Sequence, residues 1–247
     1  MLERIKARLP RSLKRAVRQR VLDPFLRQAS DRRLRKLVNS FRADPSSGTA
    51  LLEQFRRAWG NESFSADVTY VSEVVSHVSR CSAPVLECGS GLTTLVAGLA
   101  AERRGVTVLS LEQDREWAEF VTQRLRRNAI HNVEVRYAPL RDYGGFVWYD
   151  VETVALPERF ELVLCDGPAV FEEWGEAHAQ WRYGVLPVLA ARSVRVDRIL
   201  LDDATEPRAA RLLRRWQQAF GMSHTLIQAS DGDCAVVNPG AEFSGGA

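Results

Sequence analysis

The chain has 247 residues, of which 45% are hydrophobic and 26% are charged, and its formal net charge is +3. This composition is ordinary for a globular protein that buries a substantial core, and it argues against a disordered or fibrous chain. We expect a cytoplasmic location because the sequence has neither the roughly 20 apolar residues of a membrane-spanning helix nor the apolar core of a signal peptide.

The charge is unevenly distributed along the chain. Residues 1–42 contain 14 Lys and Arg and three acidic residues, a net charge of +11, which leaves −8 on the remaining residues. Apolar residues at helical spacing predict two short basic amphipathic helices in this segment, divided by Pro10 and Pro24. Their apolar faces consist of Leu13, Ala16, Val17 and Val21 in the first and Leu34, Leu37, Val38 and Phe41 in the second.

Three interpretations of this basic segment are open. Residues 1–42 could bind peripherally to the anionic inner face of a membrane, where each basic residue contributes about 1 kcal/mol. They could bind nucleic acid, which we favour less. They could also pack against the rest of the chain or against a second subunit in a homo-oligomer.

A glycine turn follows the first predicted strand. Residues 85–94 read V-L-E-C-G-S-G-L-T-T, a buried strand followed at once by a turn and the start of a helix. Gly89 and Gly91 leave room for the backbone to approach a ligand closely. The second predicted strand ends at Glu112, where a carboxylate can accept hydrogen bonds from both hydroxyls of a ribose. This layout predicts a nucleoside site in a doubly wound sheet.

Two cofactors fit this turn, a nicotinamide dinucleotide and S-adenosylmethionine. The dinucleotide pattern has a third glycine where this chain has Thr94. With Glu87 two residues before the first glycine, the segment resembles the E-x-G-x-G motif of class I S-adenosylmethionine-dependent methyltransferases. The resemblance covers roughly residues 61–238. The cofactor contacts that it implies are Glu87, Gly89, Ser90, Gly91, Thr93, Thr94, Glu112, Gln113, Leu140 and Asp166.

The rest of the chain alternates predicted strands and helices. Further strands are predicted at residues 132–137, 160–166 and 198–203, and helices at residues 93–102, 116–128 and 177–191. A final hairpin is predicted from residues 225–228 and 234–237 across the turn 230–233. We therefore predict an α/β fold, a doubly wound, mostly parallel, Rossmann-like seven-stranded sheet with an antiparallel C-terminal hairpin. The predicted organisation is a basic helical extension (1–60), a methyltransferase domain (61–238) and a disordered tail (239–247).

The acceptor is indicated by short motifs after the fourth and fifth predicted strands. The D-G-P at residues 166–168, the R-Y-G at 182–184 and the L-D-D-A at 201–204 resemble bacterial small-molecule and glycan O-methyltransferases, and in part the plant enzymes that methylate glucuronic acid on xylan. The resemblance implies transfer to an oxygen of a small-molecule or glycan acceptor. Base methylation of nucleic acid is less favoured because no aromatic residue directly follows the D-G-P. The alternative of another class is an inactive binding or scaffold protein that uses the basic segment on a membrane or nucleic acid.

Two kinds of group could assist transfer to an oxygen. An alcohol must lose a proton, and the candidate bases are Asp166 and His178, the one histidine expected at the carboxyl edge of the sheet. Asp166, Asp202 and Asp203 could converge there. In catechol-type O-methyltransferases an Asp and an Asp-Asn pair at these places hold magnesium, and here Asp203 stands in place of the Asn. A divalent metal such as Mg²⁺ is one interpretation; orientation of the donor and helix capping are the others.

Three smaller features complete the predictions. Cys81, Cys88, Cys165 and Cys234 have no C-x-x-C spacing, which indicates buried free thiols. The aromatic segment 143–150 forms either a mobile flap or a β-hairpin packed on the rim. A helix is expected to begin near Ala66 with Ser65 as its cap.

Overall fold

A computed structural model describes residues 24–45, 48–60, 65–169, 182–229 and 232–240. The strands are β1 (Val85–Cys88), β2 (Val108–Glu112), β3 (Val133–Tyr137), β4 (Leu140–Asp142), β5 (Val147–Tyr149), β6 (Arg159–Phe160), β7 (Leu162–Cys165), β8 (Arg195–Val196), β9 (Ile199–Asp202), β10 (Ser223–Ala229) and β11 (Gly232–Asn238). The helices are α1 (Pro24–Ala43), α2 (Gly48–Trp59), α3 (Val68–Val78), α4 (Leu92–Glu102), α5 (Arg115–Arg127), α6 (Val185–Ala191) and α7 (Pro207–Phe220).

Seven strands form one sheet in the order β10-β11-β9-β7-β1-β2-β3. Strands β1, β2, β3, β7 and β9 are parallel, and β11 runs antiparallel between β9 and β10. Helices α4 and α5 fall where the periodicity predicts them, while the helix expected at 177–191 is described only from residue 182, with α6 at its end. The predicted mostly parallel sheet with a terminal hairpin is confirmed.

Hydrophobic residues cover both faces of the sheet. Alternate side chains of β7 point to opposite faces, so that Leu162 and Leu164 join one buried cluster while Val163 and Cys165 join the other. The first cluster contains buried residues of α1 to α5, and the second those of α6, α7 and the β4–β5 hairpin. Burial on both faces explains why the central strands are apolar without alternation.

The second predicted basic helix packs on the first of these clusters. Leu34, Leu37, Val38 and Phe41 of α1 are all buried there. Arg124 of α5 lies beneath α1 and α2, where its guanidinium donates to the carbonyl of Trp59 at 2.9 Å and to the hydroxyl of Ser30 at 2.8 Å. The apolar face of α1 is therefore used within the chain. The face predicted from Leu13 to Val21 lies outside the described residues, as does nearly all of the predicted tail.

Several local predictions can be compared with the structure. The aromatic segment forms the β4–β5 hairpin, in which Trp148 and Tyr149 are fully buried. The predicted cap at Ser65 is wrong: α3 begins at Val68, and the Asp67 carboxylate accepts the Tyr70 amide at 2.8 Å, because a carboxylate there lies three residues before a free helical N–H. The four cysteines are free and buried, as predicted. None of the helices in the described part of the chain is long and apolar enough to cross a membrane.

Candidate active site

Two glycine turns touch at the carboxyl edge of the sheet, one after β1 and one after β7. Gly89 has φ +93°, and a Cβ there would lie 3.1 Å from the Cα and N atoms of Gly167. A Cβ on Gly167 would lie 2.5 Å from the Tyr149 hydroxyl and 2.9 Å from the Cys88 carbonyl, which accepts the Gly167 amide at 2.5 Å. Glycine is therefore required on both sides of this contact. A Cβ on Gly91 would meet nothing within 4 Å, so this part of the turn faces open space.

Glu87 supports the glycine turn from within the protein. Its side chain is 1% exposed, and its carboxylate accepts hydrogen bonds from the hydroxyls of Thr93, Thr94 and Ser110, each at 2.6 Å. Burial raises the pKa of Glu87 to about 7, against the opposite effect of the three hydroxyl donors. Glu87 thus holds the turn in shape, and its predicted contact with the cofactor remains a prediction.

Thr94 stabilises this turn at the position where the dinucleotide pattern has its third glycine. Its hydroxyl donates to Glu87 and accepts the amide hydrogen of Gly91 at 2.8 Å. One side chain thereby connects the buried carboxylate to the exposed part of the turn. A glycine at position 94 could make neither bond.

Glu112 ends β2 beside the same turn. Its Oε2 accepts the amide of Ser90 at 3.1 Å and the hydroxyl of Ser90 at 2.8 Å, and its Oε1 accepts the amide of Asp114 at 2.9 Å. The indole of Trp117 donates to the Ser90 carbonyl at 2.9 Å. Glu112 therefore lies where the sequence predicts it, and it is oriented by the turn that it faces.

Two further predicted cofactor residues lie around this edge. The Gln113 amide donates to the carbonyl of Ala169 at 2.5 Å, which connects the end of β2 to the loop after β7. Leu140 lies in β4 opposite Tyr149 and is partly buried against the second hydrophobic cluster. Both are close to the strand ends that carry the turn.

A buried arginine lies among the three predicted aspartates. The ligand oxygens of Asp166, Asp202 and Asp203 are all within 4.8 Å of one another. The guanidinium of Arg182, which is 3% exposed, contacts Oδ1 of Asp166 at 3.2 Å and Oδ2 of Asp203 at 3.3 Å. It also donates to the main-chain carbonyls of Asp166, at 2.5 Å, and of Asp202. The predicted convergence is present, but around an internal cation.

The three carboxylates differ in their access to water. The side chains of Asp166 and Asp203 are each 32% exposed, whereas Asp202 is buried. Burial, and then repulsion from Asp203 and Asp166, raises the pKa of Asp202 well above its usual range. Burial disfavours the charged form of Arg182, but the carboxylates around it hold its pKa above the ordinary value. The cluster thus contains a fixed positive charge, two exposed carboxylates and one buried carboxyl group that favours its neutral form.

These residues do not fit the predicted metal. A divalent ion held by Asp166 and Asp203 would lie within a few ångströms of the Arg182 guanidinium, and two cations at that separation repel strongly in a partly buried site. The positively charged hydrogen-bond donor that Asp166 and Asp203 require is already supplied by the Arg182 side chain. No step of the chemistry is therefore assigned to a metal ion.

The remaining candidate base, His178, lies outside the described residues. Of the other histidines, His77 lies in α3, His131 precedes β3 and His224 lies in β10, away from the carboxyl edge. Sequence reasoning missed Arg182 as a site residue and saw it only as part of a motif. The available signal was a lone arginine before the apolar run Tyr183 to Leu186, a position where only an ion-paired arginine can be buried.

Comparisons with known proteins concern the fold. No protein-family model matches the chain, and no curated protein is similar to it in sequence. Among solved structures, the METTL16 methyltransferase domain (crystal form 2) is 14% identical over 69% of this chain and 65% of that chain, with a TM-score of 0.50. Cofactor-bound Rv0187 from MTB is 21% identical over 69% and 79% of the two chains (TM-score 0.46). The N-terminal domain of human METTL16 in complex with SAH is 13% identical over 69% and 67% (TM-score 0.46).

The strand order, the single antiparallel strand and the likeness to the METTL16 methyltransferase domain agree with one another. At these identities a structural likeness concerns the fold and not the substrate. The chain has the fold of the class I methyltransferases.

Proposed function

We propose that this protein transfers a methyl group from S-adenosylmethionine to an oxygen of a small-molecule or glycan acceptor. The observation that carries the proposal is the meeting of three strand ends: the glycine turn after β1, Glu112 at the end of β2 and Asp166 after β7. In open α/β sheets, ligands bind outside the carboxyl ends of the strands at the point where the strand order reverses, and β1 occupies that point here.

The donor is held by groups already in place. The Glu112 carboxylate binds the ribose hydroxyls, and the open space at Gly91 lets the donor approach the backbone closely. The Ser90 hydroxyl donates to Oε2 of Glu112, so a ribose hydroxyl that takes this position displaces it. The Leu140 side chain packs against the adenine ring.

Transfer is an in-line displacement at the methyl carbon. A bond forms between that carbon and the acceptor oxygen while the bond to the sulfonium sulfur breaks, and the sulfur leaves as a neutral thioether. If the acceptor is an alcohol, its proton passes to the Asp166 carboxylate. Arg182 holds Asp166 by both its main-chain carbonyl and its Oδ1, so the position of this carboxylate is fixed before the acceptor binds.

The charge of the carboxyl edge supports a neutral acceptor. Asp166 and Asp203 are the exposed members of the cluster, and the single Arg182 guanidinium neutralises only one of their two negative charges. A polyanion such as nucleic acid would be repelled by this edge. A hydroxyl compound or a neutral sugar would not, and its hydroxyls can donate hydrogen bonds to the carboxylates.

Isothermal titration calorimetry tests the donor site. S-adenosylmethionine is expected to bind and NAD is not. Glu112→Gln should weaken donor binding at least tenfold, because an amide accepts from one ribose hydroxyl where the carboxylate accepts from two. Glu119→Gln is the matched control: it makes the same change at an exposed position of α5, so donor affinity should stay equal. Equal binding by wild type and Glu112→Gln would refute the proposed site.

Transfer with a methyl-labelled donor and a panel of sugars and small hydroxyl compounds tests the acceptor. Asp166→Asn should lower kcat by about 100-fold or more, the usual contribution of a general base, and leave donor affinity within a fewfold. Asp197→Asn, which changes an exposed ion pair with Arg159 at the opposite edge, is the control and should not change kcat. Equal turnover by both variants would remove Asp166 from the reaction.

A further inference from the structure

The edge of the sheet opposite the candidate active site is strongly basic. Helices α4 and α5 run antiparallel to the strands, so both end at the amino edge, and α1 crosses these two ends. The Arg35 guanidinium donates to the carbonyl of Arg127 at 3.4 Å, and Arg103 donates to the carbonyl of Arg42 at 3.1 Å. These contacts bring together six exposed cations, which we call the basic edge: Arg35, Lys36, Arg103, Arg104, Arg126 and Arg127.

Few carboxylates neutralise the basic edge. Among the residues that the structure describes, Arg127 is the one member of the six with an ion pair, at 2.5 Å to Asp31. Glu102, which lies beside Arg103 in the sequence, is paired with Arg42 instead. Basic residues at helix carboxyl ends interact favourably with the helix dipole, but Arg35 and Lys36 lie in the middle of α1, where that effect is absent.

We propose that the basic edge docks the protein on an anionic lipid surface, with the candidate active site facing the water. The basic sequence before α1 favours lipid over nucleic acid, because Leu13, Val17 and Val21 recur at helical spacing among basic residues, a sequence pattern typical of segments that bind between lipid headgroups and acyl chains. A nucleic acid bound at the basic edge would lie on the wrong side of the molecule to serve as acceptor.

The dimensions of the fold set the orientation. Helix α4 has 11 residues and connects the glycine turn to the basic edge, so the two are about 16 Å apart. That distance exceeds the Debye length of about 8 Å at physiological salt, so the acidic carboxyl edge is screened from the lipid charge. The docked protein would take its acceptor from the aqueous side.

Vesicle sedimentation of the full chain tests the proposal. The variant Lys36→Gln/Arg104→Gln/Arg126→Gln removes three charges of the basic edge, and none of these side chains forms a hydrogen bond or ion pair within the described part of the chain. The control variant Arg115→Gln/Arg211→Gln/Arg214→Gln removes the same charge elsewhere on the surface. Each lost charge near the bilayer should lower partitioning about fivefold, so the first variant should bind phosphatidylserine vesicles roughly 100-fold more weakly and the control less than about twofold.

Four outcomes would overturn the proposal. They are equal losses in the two variants, no loss in either, wild-type binding to phosphatidylcholine as tight as to phosphatidylserine, and tighter binding to duplex DNA or RNA than to anionic vesicles at the same salt. The orientation has its own readout: vesicle-bound protein should bind S-adenosylmethionine with unchanged affinity, and a tenfold loss on the vesicles would contradict it. Because vesicle binding is measured without donor or acceptor, its result is independent of the proposed methyl transfer.

Discussion

Replacing Arg182 with methionine tests the interpretation of the carboxylate cluster. Methionine keeps an apolar stem of similar length but removes the guanidinium from between Asp166 and Asp203. Removing one partner of a buried ion pair leaves an uncompensated charge and costs about 3–5 kcal/mol. Because the two carboxylates are each 32% exposed and water can solvate them in part, we expect the lower end, about 3 kcal/mol of unfolding free energy.

The unfolding free energy lost in Arg182→Met should depend on pH. The pKa of Asp202 is raised in the folded state, so the stability associated with this group is complete below its unfolded pKa and is lost as pH rises through the folded value. Without Arg182 the Asp202 carboxyl group loses its nearby positive charge, so we expect the pKa of Asp202 to rise further. The destabilisation caused by Arg182→Met should therefore be larger at about pH 8 than at about pH 5, because Asp202 is ionised to a greater extent at the higher pH.

Urea unfolding at the two pH values measures the effect, with Arg159→Met as the control. Arg159 forms an exposed ion pair with Asp197, for which a loss of less than about 1 kcal/mol is expected. Electron paramagnetic resonance of added Mn²⁺ gives a second readout: wild type should not bind the ion, whereas Arg182→Met should acquire binding. Binding of Mn²⁺ by the wild type, or equal destabilisation by the two substitutions, would refute the internal-cation interpretation.

Two further predictions concern the glycine turn. Because burial raises the pKa of Glu87 to about 7, the contribution of Glu87 to stability is complete below about pH 4.5 and decreases by about 3 kcal/mol as pH rises from 4.5 to about 7. Glu87→Gln should therefore flatten the pH dependence of urea unfolding between these two pH values, and an unchanged slope would contradict this. Gly89→Ala should lower the free energy of unfolding by about 2–3 kcal/mol and weaken donor binding, because a Cβ at φ +93° would also lie 3.1 Å from Gly167. Gly105→Ala is the control: at φ +64° with open space around it, the loss should be about 1 kcal/mol. Similar thermal shifts for the two variants would show that the Gly167 contact does not matter.

Local patterns in the sequence predict much of the sheet. Each central strand is a short apolar run, and the carboxyl ends of parallel strands necessarily meet at one edge, so the neighbourhood of Gly89, Glu112 and Asp166 follows from strand order alone. The terminal hairpin is equally local, because its turn residues lie between two apolar runs. These predictions needed no knowledge of side-chain contacts.

Contacts between segments that are distant in the sequence could not be predicted from such local patterns. Arg182 contacts Asp166 and Asp202, which are 16 and 20 residues away, and no spacing rule links a loop arginine to two strand ends. The contact between Gly89 and Gly167 depends on how closely β1 and β7 approach, which only the packed backbone defines. The cap at Asp67 instead of Ser65 reflects the usual uncertainty of about two residues in helix ends.

The two edges of the sheet carry opposite charge, which the net charge of +3 conceals. The amino edge carries exposed cations such as Arg104 and Arg126, while Glu112, Asp166 and Asp203 lie at the carboxyl edge. In the proposed reaction the donor S-adenosylmethionine has one net positive charge and the thioether product has none, so we expect the acidic edge to attract the donor more strongly than the product. Salt should therefore weaken binding of the donor more than binding of the product, and the difference should shrink when Asp203 is replaced by Asn.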